Sequence, residues 1–176
     1  MALVAAGVVL LVALGVLYAV VRMSYSVMVV SIKKTRPEAV VPRYATRGAA
    51  CFDLHAAGLP EEGCVIEAGD PITIPTGLAF EIPEGFVMNV YSRSGHGFNH
   101  DIRLANCVGK IDSDYRGEVV VKLAQDASKT LPPLRVRNGD RVAQAEIVPV
   151  DQVTFELADE LSVTARGVGG FGSTGT

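Results

Sequence analysis

Apolar residues follow two different patterns along this chain. From Ala2 to Val21 they run unbroken for 20 apolar or small positions without a charge, about the length a helix needs to cross a bilayer. From Val27 onward the runs are short, rich in Val, Ile, Thr and aromatics, and interrupted by Gly, Pro, Asn or Asp roughly every ten residues, the spacing of many short strands. Strands are predicted over Val27–Ile32, Val40–Arg43, Pro71–Thr76, Leu78–Ile82, Phe86–Tyr91, Gly117–Leu123 and Val142–Val148, with a turn-rich stretch at Lys110–Asp114. No segment after residue 23 keeps a helical apolar period for three turns, so one short helix near Ser92–Phe98 is all the helix expected there. The pattern predicts an all-β domain, a sandwich, barrel or jelly roll. Thr164–Thr176 carries five glycines and almost nothing to bury, yet it also holds an arginine, a phenylalanine and a Ser-Thr pair. Such a tail is expected to order only on binding.

Charge follows the same division. Beyond Arg22 the chain has 15 basic against 19 acidic residues, a net charge of −4. That balance excludes the basic surface of a nucleic-acid-binding domain, so any phosphate contact must come from local geometry and a few placed cations. Residues 1–22 are expected to form a membrane-spanning or signal-anchor segment. Arg22, Lys33, Lys34 and Arg36 follow it, which would leave the globular part in the cytoplasm, membrane-anchored through residues 2–21. The alternative is translated upstream sequence, with the working protein starting at Met23 or Met28. Cys51, Cys64 and Cys107 are too few and too irregular for a disulfide framework. His96 and His100 stand four apart, but Gly and Asn around them predict a loop rather than the helix that would put both on one face.

Several patches carry chemistry. The Tyr91–Phe98 stretch (YSRSGHGF) and Ala165–Gly175 (ARGVGGFGSTG) combine small residues with Arg, Ser and Thr. Backbone N–H groups approach a phosphate closely only where side chains are small, and Arg adds a bidentate charged contact. Lys110–Glu118 (KIDSDYRGE) sets Asp112 and Asp114 two residues apart, which on an extended chain points them the same way. Paired carboxylates suit general-base work or metal-bound water. Each patch alone is weak, since Gly-Ser loops and Asp-rich turns are common. Together, the order Arg47–Ala56 (RGAACFDLHA), Tyr91–Phe98, Asn106–Val119 (NCVGKIDSDYRGEV), Gly139–Gln144 (GDRVAQ) and the terminal RGVGGFGSTG resembles the five ordered motifs of the trimeric deoxyuridine triphosphatase family, from about Val27 to Gly175.

The resemblance implies a jelly-roll-like barrel of short strands over residues 23–164, a flexible C-terminal arm at 165–176, and a homotrimer with active sites at subunit interfaces. It implies hydrolysis of dUTP to dUMP and pyrophosphate with Mg²⁺, which limits uracil incorporation into DNA and supplies dUMP for thymidylate synthesis. Asp112 matches the residue that activates the attacking water. Asn106 and Gly109 match the hairpin that reads uracil, and Tyr115 the ring packed on the deoxyribose. Arg93, Ser94, Gly95 and Gln144 match phosphate contacts. Arg166, Phe171, Gly172, Ser173 and Thr174 match the closing arm, with Phe171 stacked over the base. Asp53 matches a residue that reaches the metal through water. Three departures stand out: His96-Gly97-Phe98 replaces a small aliphatic pair, Lys110 replaces an apolar residue, and Cys51 a glycine. A deoxycytidine triphosphate deaminase shares the implied fold, but such relatives typically lack the complete tail, and no acid-base patch for deamination is visible. A membrane-tethered nucleotide-binding module without activity is the remaining alternative.

Overall fold

A computed structural model of the protein describes residues 28–126, 131–171 and 173. Eleven strands and one helix are formed among them: β1 (Ser31–Lys34), β2 (Phe52–His55), β3 (Cys64–Ile66), β4 (Ile72–Pro75), β5 (Leu78–Glu81), β6 (Phe86–Tyr91), α1 (Ser94–His100), β7 (Ile102–Leu104), β8 (Val108–Ile111), β9 (Val120–Gln125), β10 (Leu134–Val136) and β11 (Arg141–Pro149). The architecture is mostly β with a single short helix among the described residues. The largest sheet has the order β2-β11-β6-β8, and β4-β9-β7 forms a second; β1 pairs with β5 and β10 with β3. Every pairing within these sheets is antiparallel.

Alternation builds the core. Phe52 and Leu54 of β2 are buried while Asp53 and His55 are half-exposed, and Ile102 and Leu104 of β7 are buried on either side of exposed Arg103. Leu54, Ile66, Ile74, Leu78, Met88 and Leu123 lie at its centre. Burying a side chain of this kind is worth about 1.5–3 kcal/mol. The Thr76 hydroxyl, fully buried, donates to the Val119 carbonyl at 2.7 Å, and Lys110 Nζ donates to buried Asn89 Oδ1 at 3.0 Å.

Most expected strands form within a few residues of their predicted bounds. Val40–Arg43 does not: only an isolated bridge from Tyr44 to Phe52 follows it, and Pro42 has no N–H to offer a ladder. The turn expected at Lys110–Asp114 begins later, because β8 runs to Ile111 and the turn is closed by Tyr115 N–H donating to the Asp112 carbonyl. The membrane helix is a correction. No helix among the described residues is long and apolar enough to cross a membrane, so neither a transmembrane helix nor an anchored location is retained. The apolar stretch 2–21 lies outside the described residues.

Glu118 ties two loops to the base of the β8–β9 hairpin. Its Oε1 accepts from Arg36 Nε at 3.1 Å and from the Gly77 N–H at 2.8 Å. Burial pushes the carboxyl up, but the Arg36 guanidinium and the Gly77 amide outweigh it and hold it below the usual carboxylate range. A group depressed in the folded state contributes stability above its unfolded pKa and loses it as pH falls through the folded value. Glu118→Gln should therefore cost about 1 kcal/mol at neutral pH, read as a lower urea midpoint, and the gap to wild type should close in acid.

Candidate active site

The phosphate-type loop is built where β6 ends. Arg93 is the N-cap of α1 in extended conformation, and its carbonyl accepts from the His96 and Gly97 amides, both at 3.1 Å. The Ser92 hydroxyl accepts from Leu104 N–H at 2.9 Å, and the Ser92 carbonyl accepts from Gln144 Nε2 at 3.0 Å. A register shift between Arg141 and Ala143 in the β11–β2 pairing sets Gln144 opposite Asp53, and the regular β11–β6 ladder sets it opposite Tyr91. Arg93, Ser94 and Gln144 thus line one cavity of about 540 Å³. Gly95 lies in the first turn of α1 with open space where a Cβ would stand.

Asp53 sits between two cations. Its oxygens accept from Arg93 Nε and from Arg141 Nη1, each at 3.3 Å. Arg93 Nη1 also meets the Arg141 carbonyl and His96 Nε2, each at 3.2 Å. Burial, then the Arg93 charge and His100, hold His96 down to about 4, so its imidazole is neutral near neutral pH. His96 and His100 stand one turn apart on α1, against the loop expected for them.

The hairpin forms a second and a third cavity. Asn106 and Gly109 line one of about 460 Å³. Asp112, Asp114 and Arg116 line another of about 760 Å³, and Lys110 belongs to both. Gly109 is required by close approach, since a Cβ there would stand 3.3 Å from Val90 Cβ. Asp112 is exposed, and among the described residues its carboxylate makes no ion pair or hydrogen bond. The Tyr115 hydroxyl donates to the Glu118 carbonyl at 3.1 Å, which folds the ring back over Gly117. A Cβ on Gly117 would overlap the Tyr115 hydroxyl and ring. Gly117→Ala should therefore displace the Tyr115 side chain, read as a change in tyrosine fluorescence or ring NMR signals with little change in thermal midpoint.

None of the described residues of the arm lines these cavities in the single chain. Among the described residues its hydrogen bonds stay within residues 164–173: Arg166 Nε donates to the Gly169 carbonyl at 2.8 Å and Ser173 N–H to the Gly170 carbonyl at 3.0 Å. Phe171 is fully exposed. Gly172 and Thr174 lie outside the described residues. Sequence reasoning left out Arg141, His96 and Glu118 as site residues. Arg141 stood inside the GDRVAQ motif and His96 inside the departure from the second motif, but only their partners across the fold give them roles.

The β-rich fold is one shared with solved nucleotide hydrolases. The dUTPase of Staphylococcus bacteriophage 80alpha, solved with dUPNHPP, superposes with a TM-score of 0.75 at 27% identity over 84% of this chain and 99% of that one. Deoxyuridine 5'-triphosphate nucleotidohydrolase of Nautilia profundicola is 45% identical over 148 residues, 84% of this chain and 99% of the relative. Its counterpart in Desulfitobacterium hafniense is 49% identical over 136 residues, 77% and 87% of the two chains. The model of the dUTPase family matches residues 37–175. The chain belongs to the dUTPase family.

Proposed function

We propose that this protein hydrolyses dUTP to dUMP and pyrophosphate, removing a source of uracil in DNA and supplying dUMP for thymidylate synthesis. The observation that carries the reading is the exposed Asp112 carboxylate, without an ion pair among the described residues, at the end of a hairpin whose other side offers Asn106 and Gly109. An ionised carboxylate held beside a water accepts its proton as the water attacks. The attack falls on the α-phosphorus, and the bond to the pyrophosphate oxygen breaks. Asn106 and the backbone around Gly109 would read uracil, whose donor and acceptor pattern cytosine cannot satisfy. Tyr115 would pack on the deoxyribose. Arg93, Ser94, Gly95 and Gln144 would hold the phosphates, with the Arg93 guanidinium already fixed by Asp53.

Magnesium fits this site as an ion carried by the substrate. Among the described residues no three His, Cys, Asp or Glu side chains gather as a metal cage would require, and both Asp53 oxygens are engaged by arginines. Mg²⁺ favours phosphate oxygens and retains several waters, so Asp53 would reach it through water. When bound, it neutralises charge developing on the phosphates.

We read residues 23–164 as the β-domain, closed as a jelly roll, and 165–176 as the arm that closes the site. A homotrimer with interfacial active sites is supported by two features. The proposed catalytic, base and phosphate residues occupy separate cavities within one chain. Val153, Phe155, Leu157, Leu161 and Val163 are exposed, Phe155 at 92% and Leu157 at 98%, which a solitary chain would leave in water. The test of function is pyrophosphate release from dUTP, dTTP, dCTP and UTP with Mg²⁺. Release confined to dUTP is expected; deamination of dCTP, or no turnover of dUTP, would sink the reading.

A further inference from the structure

Arg93 has five N–H groups, and the protein already engages its Nε through Asp53 and its Nη1 through the Arg141 carbonyl and His96. Among the described residues Nη2 makes no hydrogen bond, so it is the donor left for a phosphate. The three contacts that fix the guanidinium are 3.2 to 3.3 Å long, each individually modest, and they come from three elements: β2, β11 and α1. The His96 contact is the one this chain adds within the second motif, because an aliphatic side chain at that position has no lone pair to offer. Helix α1 also locks it locally, since the His96 amide donates to the Arg93 carbonyl while its ring meets the Arg93 side chain.

A guanidinium only donates, so the contact forms only if Nε2 is an unprotonated acceptor. The groups around the ring favour that state. Burial, Arg93, His100 and Arg141 oppose a charge on it, and only Asp140 acts the other way.

We propose that His96 is a positioning residue for the triphosphate: its neutral imidazole accepts from Arg93 Nη1 and holds the guanidinium so that Nη2 meets the phosphate chain. This rests on the dUTP-hydrolase reading and assigns a purpose to the departure at His96. The role requires an acceptor at that position, not an imidazole as such, and it concerns the phosphates beyond the first.

The experiment is equilibrium binding of dUpNHpp and of dUMP to the full chain, for wild type, His96→Leu and His96→Gln. Leucine fills the space without an acceptor, whereas the glutamine carbonyl restores one. His96→Leu should weaken dUpNHpp about threefold to tenfold, the worth of one lost hydrogen bond, and leave dUMP within twofold. His96→Gln should recover most of the loss. Wild-type affinity in His96→Leu would overturn the proposal, as would equal weakening of dUMP and dUpNHpp, or equal loss in both variants. Failure of the wild type itself to prefer dUpNHpp over dUMP would instead overturn the dUTP-hydrolase reading, and the role of His96 with it.

Discussion

Asp112→Asn should lower the turnover of dUTP by about 10²- to 10⁴-fold, the usual contribution of a placed general base, while the affinity for dUpNHpp stays within a few-fold of wild type. The asparagine amide keeps the size of the carboxylate but cannot take the proton of the attacking water. The structure favours a clean outcome. Asp112 is exposed at a turn and holds no hydrogen bond or ion pair through its side chain among the described residues, so the substitution removes chemistry without unmaking a structural contact. The thermal midpoint should therefore be unchanged, which separates loss of chemistry from loss of fold. Steady-state kinetics of pyrophosphate release, with binding of the analogue followed in parallel, check this. Residual turnover above about one tenth of wild type would mean that another group serves as the base.

Truncation after Thr164 should have the second largest effect, lowering kcat/KM for dUTP by about 10²- to 10³-fold. Arg166 and the hydroxyls of Ser173 and Thr174 would each contribute a hydrogen bond to the phosphates, and bonds to charged groups are worth about 1.5–3 kcal/mol apiece. In the single chain Arg166 is turned onto the Gly169 carbonyl and Phe171 lies wholly in solvent. Ordering a glycine-rich arm costs conformational entropy, so closure depends on the triphosphate supplying enough contacts to offset that cost, as lids that sequester a reaction from water generally do. The affinity for dUMP, which lacks the outer phosphates, should fall far less than that for dUpNHpp. A truncated protein with full activity would remove the arm from the mechanism. Because Phe171 and Arg166 are not packed against the β-domain, truncation should leave the urea midpoint of unfolding in place.

Much of this protein is legible one segment at a time. The strands β4, β5, β6, β9 and β11 were visible as Val-, Ile- and Thr-rich runs between turn residues, because alternation and local composition carry that information. The strands β3, β7 and β10 span only three residues each, too few for a period of two to emerge; they are strands because a partner lies alongside. The helix α1 forms at Ser94–His100, where one short helix was expected near Ser92–Phe98; what local reading missed is its extent, since His96 and His100, expected in a loop, both lie on it. It forms where the fold completes its end: Gln125 Nε2 donates to the His100 carbonyl at 3.0 Å, and Asp101 takes a left-handed conformation at the C-cap with φ 52, one that Asp tolerates better than most residues.

The sequence singled out Asp112 only through its resemblance to a family; by itself it determined the β class, the order of the five motifs and a separate glycine-rich tail. Those are local properties of composition and spacing, written within a few residues of one another. Only the tertiary structure decided which side chains act on each other. Asp53 meets Arg93 and Arg141 across separations of 40 and 88 residues, and Glu118 meets Arg36 across 82. Such pairs depend on strand register, and a shift of one residue would turn every side chain of a strand to the opposite face. The register shift between Arg141 and Ala143 is a case in point: it sets Gln144 opposite Asp53, and no local signal in the surrounding sequence specifies it.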